Sequence, residues 1–439
     1  MRTNRRLIKQ IPTVLITVAV FLACGALHAE GAIEGVVSAT STFTLTARTG
    51  YVSTPDGGSY LMWGYANGPG PMQYPGPTLI VNQGAVVTVN LNNELTVPVS
   101  IVFPGQKAVR STGGIPGLMT NEAPAGGGTV SYTFTASQPG TYTYYSGTNP
   151  DLQIEMGLVG ALIVRPATNP GTQAYNHADS QFDHEYLFLL SEMDPRIHDL
   201  VATGNMAQVD NTTYFPVLWF INGRAAPDTM AEANSPLLPN QPYNCMPMMH
   251  PGEKILLRMI GAGRDFHPYH THGNHHRVIA RDGRLLSSGS GADLGEQAFT
   301  TTVIPGSTAD AIFSWTGEKL GWDMYGHSNT VDPNRIGANC VADGVALEPG
   351  ESLADHCKPF PVVLPSQQEL TFGQFYSGSP FLGALGGLPP GEGGFNPNGG
   401  FFYMWHSHAE KELTNNDIFP GGMLTMMLIE APGVPLMNP

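Results

Sequence analysis

Glycine and proline punctuate this 439-residue chain 53 and 37 times, which leaves little room for long amphipathic helices and favours short strands joined by turns. Only 13% of residues are charged, which fits the same all-β expectation. From Ile33 to about Pro166, β-rich runs alternate with turns, as in Thr78-Leu-Ile-Val, Val86-Val-Thr-Val-Asn and Val130-Ser-Tyr-Thr-Phe. Residues 33–166 therefore read as one sandwich or barrel. Residues 167–182 are polar, contain Pro and Gly and show no apolar period, so a linker is expected there. A second β-rich unit, 183–432, opens with Glu185-Tyr-Leu-Phe-Leu-Leu and closes near Met427-Leu-Ile-Glu. Within it, about 329–400 is irregular and Gly/Pro-rich, and reads as an insertion between two strands. The units share a weak parallel: Gly140-Thr-Tyr-Thr-Tyr-Tyr corresponds to Phe401-Phe-Tyr-Met-Trp-His. Each is followed by a Gly-led apolar strand, Gly157-Leu-Val-Gly-Ala-Leu-Ile-Val or Gly422-Met-Leu-Thr-Met-Met-Leu-Ile, which points to duplicated domains.

The N-terminus has the form of a targeting signal. Arg2, Arg5, Arg6 and Lys9 precede an apolar run from Ile11 to Leu27, and small residues follow, so residues 1–29 are expected to be a signal peptide cleaved near Ala29. A retained membrane anchor is the alternative. Export would place the chain in a periplasmic or extracellular setting. Cleavage removes four positive charges and no negative ones, taking the formal charge from −15 to −19, so no nucleic-acid partner is expected. Export also permits a disulfide. Cys340 and Cys357 are the local pair that would staple a Gly/Pro-rich excursion, leaving Cys245 as a free thiol.

The chemistry concentrates in histidines. Five of the fourteen lie in His267-Pro-Tyr-His-Thr-His-Gly-Asn-His-His. Residues two apart on a strand share a face, so His270 and His272 point one way, as do His406 and His408 in Trp405-His-Ser-His. Two such strands side by side would present four imidazoles to one point, and neutral imidazole suits copper and zinc. Weaker candidates are His275 and His276, which project to opposite faces, and the soft cluster Met246, Met248, Met249 and His250, which also reads as core packing. Glu410 and Glu412 read as a solvated face or as hydrogen-bond acceptors behind the ligands.

His267-Pro-Tyr-His-Thr-His-Gly with Val278-Ile-Ala-Arg-Asp-Gly resembles the multicopper oxidase motif His-Pro-x-His-x-His-Gly, and His406-Ser-His through Gly422-Met423 resembles that family's closing His-Cys-His motif and its Gly-Met. Supporting phrases such as Gly76-Pro-Thr-Leu-Ile-Val-Asn-Gln-Gly, Ile221-Asn-Gly-Arg and Pro251-Gly-Glu-Lys-Ile-Leu-Leu-Arg follow the family's order. The resemblance implies two cupredoxin-like Greek-key β-sandwich domains and copper as cofactor, with a small-molecule reductant or an oxygen species as further partner. A homo-oligomer stays open.

Departures from the family are equally informative. Val102-Phe-Pro-Gly and Tyr144-Tyr-Ser-Gly replace the first-domain His-x-His pairs, Ser407 replaces the blue-copper cysteine, and Glu412 replaces a histidine ligand. The resemblance therefore implies a reduced, histidine-only copper site of His270, His272, His406 and His408, without the blue thiolate centre. His267 and Met423, ligands in the resembled proteins, become structural, with His267, Met423, Glu410 and Glu412 as candidates for supporting the site. The expected function is oxidoreductase chemistry, the alternatives being a non-catalytic copper binder, a scaffold, or a zinc-only structural site. Val102, Pro104, Tyr145 and Gly147 are expected to form a lid over the histidines, with the site facing the first domain.

Overall fold

The computed structural model describes residues 33–317 and 401–430, together with residues 323, 346, 347, 351, 353, 355, 356, 378, 379 and 434–436. The expected signal segment, almost all of the insertion at about 329–400, and the Cys340–Cys357 pairing lie outside the described residues. Among the described residues the longest helix is Pro195–Ala202, begun by Asp194, whose side chain accepts a hydrogen bond from the Arg196 amide. Everything else of substance is strand, so the all-β expectation holds.

Strands between 36 and 165 form two main sheets, beside a small ribbon of 115–116 with 121–122. One contains 42–53, 59–67, 72–73, 86–93, 107–113 and 128–135. The other contains 36–37 and three longer strands, β1 (Gly76–Asn82), β2 (Gly140–Tyr145) and β3 (Val159–Arg165), with β3 between β1 and β2. The later strands form two more sheets. The third joins β4 (His184–Met193), β5 (Leu218–Ile221), β7 (Lys254–Gly261), β9 (His276–Arg281) and β11 (Thr308–Ser314) in the order β5-β4-β7-β11-β9. The fourth joins β6 (Met248–Met249), β8 (His267–Thr271), β10 (Thr300–Val303), β12 (Phe401–Ser407) and β13 (Leu424–Ile429) in the order β6-β13-β12-β8-β10.

Side-chain alternation shows how the four sheets stack. On β3, Leu162 and Val164 enter the first core with Phe43, Tyr65 and Tyr132, while Val159, Ala161 and Ile163 enter a second core. That second core also takes Leu187 and Leu189 of β4, whereas Phe188 and Leu190 turn into a third core with Tyr269 and Trp405. Both β3 and β4 are buried on both faces, which is why Val-Gly-Ala-Leu-Ile-Val and Tyr-Leu-Phe-Leu-Leu read as continuous apolar runs. The sandwiches are thus fused through a core, and each fully buried Leu, Ile or Phe there contributes about 1.5–3 kcal/mol relative to exposure.

Residues 167–182 are not a solvated tether. Ala174, Tyr175 and Phe182 are buried, and the Tyr175 hydroxyl donates to Asp310 Oδ2 at 2.5 Å. The same seam carries buried charge. Arg258 Nε donates to Glu185 Oε2 at 2.8 Å, Arg165 meets the same carboxylate, and Arg258 Nη1 donates to Thr141 Oγ1 at 2.9 Å. Composition alone misses this, because a few aromatic anchors inside a polar segment carry its packing.

Candidate metal centre

The antiparallel pairing of β8 with β12 sets Tyr269 opposite Ser407, His270 opposite His406 and Thr271 opposite Trp405. Tyr269 and Trp405 fill the third core, so His270 and His406 project from the opposite, outer face of the fourth sheet, with His272 and His408 on the same side. The rings meet there. His270 lies 4.6 Å from His272, 5.4 Å from His406 and 4.9 Å from His408 between ring centroids, and His406 lies 5.6 Å from His408. The Nε2 atoms of His272 and His406 are 3.0 Å apart. His270, His272 and His406 each bring a nitrogen within 4.8 Å of the others. His408 stands at the rim, half exposed, with Nδ1 3.1 Å from Glu410 Oε1.

Neighbouring groups orient these rings. His406 Nδ1 donates to the Ser407 carbonyl at 2.6 Å, leaving the Nε2 lone pair for a ligand, and His270 Nδ1 pairs with Thr300 Oγ1 at 2.7 Å. Burial, then repulsion from His406 and His408, holds the His270 pKa down to about 4. Burial followed by the three neighbouring imidazoles does the same for His272, also about 4, and burial lowers His406. Burial and mutual repulsion thus favour the neutral form of His270, His272 and His406, the form that binds a metal. His272 Nδ1 is buried without a hydrogen-bond partner. An orphaned ring nitrogen in a cluster of neutral imidazoles fits copper or zinc as a donor set.

His267 alternates into the core and is fully buried. Its Nε2 lies 2.9 Å from Glu192 Oε2 and its Nδ1 3.0 Å from Glu412 Oε2. Burial alone would lower its pKa, but the hydrogen bonds to the two carboxylates outweigh that and push it up to about 9. Both nitrogens of an imidazolium donate, as this geometry requires. Glu192 is held below the usual carboxylate range. Its burial opposes this, but the hydrogen bond and charge of His267 prevail, helped by the backbone amides of Arg264 and Asp265. Glu412 and His267 thus meet, as their positions in the resembled motifs imply, but as an ion pair. Ser407 is buried, its Oγ accepting from the Ala409 amide at 3.2 Å, and Met423 packs in the core.

Other candidates do not join the cluster. His276 is buried between Thr271 Oγ1 at 2.9 Å and Thr301 Oγ1 at 2.7 Å, and His275 is exposed against Phe299. His250 spends its ring on Glu253 and the Val434 carbonyl, and Cys245 is a buried free thiol. The expected lid is not where it was placed. Val102 and Tyr145 do pair, Val102 N donating to Tyr145 O at 2.8 Å, but Tyr145 packs on the core between the second and third sheets. The histidines occupy the far face of the fourth sheet, so the first sandwich of the same chain does not face them. Glu192 was missed altogether. Its signal was a carboxylate continuing the inward positions of Phe188 and Leu190 in an otherwise apolar strand.

A family model described as multicopper oxidase matches residues 51–169. Copper resistance protein A of Escherichia coli is 25% identical over 279 residues, covering 56% of this chain and 44% of that protein. Copper resistance protein A of Pseudomonas syringae pv. tomato is 24% identical over 280 residues, with the same coverage. The chain thus spans less than half the length of these relatives. Among solved structures, the blue copper oxidase of Nitrosomonas europaea aligns with a TM-score of 0.54 at 19% identity, covering 88% of this chain and 85% of that one, a likeness of fold. The strand architecture and these matches agree on a cupredoxin fold, and residues 51–169 are similar to a domain of the multicopper oxidases, a copper-binding family.

Proposed function

We propose that this is an exported copper oxidoreductase working through a histidine-only site of His270, His272, His406 and His408, with 33–166 and 183–432 as its two domains. The observation that carries the reading is the convergence of four imidazoles from two adjacent strands, with the Nε2 atoms of His272 and His406 3.0 Å apart. Copper held there would supply one-electron exchange with a small reductant or an oxygen species. The chain supplies the rest. The Ser407 carbonyl and Thr300 hydroxyl fix the tautomers of His406 and His270, and burial keeps the inner rings unprotonated. Glu410 is placed to hold a proton at His408 Nδ1 on the exposed rim. Export rests on residues 1–29; among the described residues no helix is long and apolar enough to cross a membrane.

A second reading, a non-catalytic copper binder, draws support from one observation. Ser407 and the Glu192–His267–Glu412 array occupy the position where the resembled proteins build a thiolate copper, so no thiolate relays electrons to the histidines. Turnover with a chemical reductant at one copper per chain separates the readings. The site itself is tested by replacing His272 and His408 together with Ala and titrating with Cu(II). Wild type should bind with a nitrogen-only paramagnetic resonance signature and no intense band near ~600 nm, and the double variant should lose that binding. Unchanged stoichiometry and affinity in the variant would sink the reading.

A further inference from the structure

The outer face of the fourth sheet carries soft donors beside the imidazoles. In the pairing of β12 with β13, Met404 stands opposite Met426 and His406 opposite Leu424. Trp405 and Met427 point into the core, so alternation puts Met404 and Met426 on the face that bears His270 and His406. One further step of the β8–β12 register, beyond Thr271 opposite Trp405, brings His272 level with Met404. Met426 and Met404 thus sit side by side on adjacent strands about 4.8 Å apart, with His272, one residue past the end of β8, next in line, adjoining the row of Leu424, His406 and His270.

Two observations set this row apart from ordinary packing. Met249, Met259, Met423 and Met427 fill the core, as methionine usually does, whereas Met404 and Met426 are only partly buried and lie over Ala226, Leu413 and Leu424. Leu424 and Leu428 serve the neighbouring outward positions of the same strand, so apolar covering there does not require sulfur. In addition, His272 turns Nε2 to His406 and leaves Nδ1 buried and unpartnered.

We propose that Met404, Met426 and His272 form a Cu(I)-accepting subsite next to the four-histidine site. Thioether sulfur is a soft, neutral donor that selects Cu(I) over Cu(II) and zinc, whereas imidazole accepts all three. Three rotatable bonds let each methionine bring its sulfur to an ion without moving the strands. The ion arrives already reduced, so no electron transfer is required for its capture. The subsite shares His272 with the histidine centre and to that extent rests on the preceding reading.

The test is an anaerobic Cu(I) titration of the full-length protein against a chromogenic Cu(I) chelator, combined with X-ray absorption of the Cu(I)-loaded sample and a parallel Cu(II) titration. Wild type should show sulfur in the Cu(I) shell. Met404→Leu with Met426→Leu, a swap that conserves volume, should lower Cu(I) affinity roughly tenfold or more and remove the sulfur signal, with Cu(II) stoichiometry unchanged. His406→Ala should impair Cu(II) binding and keep the sulfur-bound Cu(I), separating failure of the histidine centre from failure of this subsite. A nitrogen-only Cu(I) shell in wild type, which needs no variant to measure, or an unchanged Cu(I) affinity in the double variant, overturns the proposal.

Discussion

His267 is where the consequences of losing a ligand are sharpest. Its neighbours are the carboxylates of Glu192 and Glu412, with Tyr214 donating to Glu192 Oε1 at 3.2 Å, Asp265 nearby, and Arg264 stacked on the Tyr214 ring. The folded pKa of about 9 lies above the ordinary 6.5, so the imidazolium's contribution is fully present below pH 6.5 and is lost as pH rises through about 9. That contribution is on the order of 3 kcal/mol. Glu192, whose folded pKa is lowered, has the opposite sign, contributing above 4.5 and failing as the medium turns acid. Denaturation measured from neutral to alkaline pH should show wild-type stability declining toward pH 9, and Glu412→Gln should flatten much of that decline. An unchanged slope in the variant would mean that Glu412 does not hold the charge. The sequence showed Ser407 and Glu412 at positions where the resembled motifs carry a cysteine and a histidine. It did not reveal the replacement, because Glu192 comes from a strand 75 residues away from His267 and only the fold brings them together.

At the level of elements, β8 and β12 work because period-two alternation sends Tyr269 and Trp405 to the core and the histidines outward. That much was readable from His-x-His alone, and the pairing of the two motifs followed from the family resemblance. Their unequal depth was not. His406 is buried in the sheet and keyed by its hydrogen bond to the Ser407 carbonyl, whereas His408 lies past the strand end, half exposed beside Glu410. Single substitutions should therefore differ. His406→Ala is expected to weaken Cu(II) binding by roughly 100-fold or more and His408→Ala by roughly tenfold, since a rim ligand is the more easily replaced by water. Equal losses in calorimetric titrations of the two variants would argue against this ranking.

For the molecule as a whole, four sheets stack so that the first sandwich lies at one end and the histidine face at the other. Two β-rich halves were visible in the strand runs, but no local pattern encodes which side of the second sandwich the first one covers, and the expected lid failed on that point. The seam between them is held by apolar packing around a buried ionic core, in which Arg258 touches Glu185 and Thr141 and lies 3.9 Å from Asp310. Truncating Arg258 to Ala leaves two carboxylates short of a counter-charge, and should cost about 3–5 kcal/mol in chemical denaturation. A loss below about 1 kcal/mol would show that the seam does not depend on it. The outward placement of the histidines also governs how an ion first arrives. A chain of formal charge −15 surrounds itself with a cation-attracting field, and of the four rings half-exposed His408 meets that atmosphere first, with His406 buried behind it. The first encounter of a cation with that rim is then sensitive to dissolved salt, which screens the field over about 10 Å at 0.1 M.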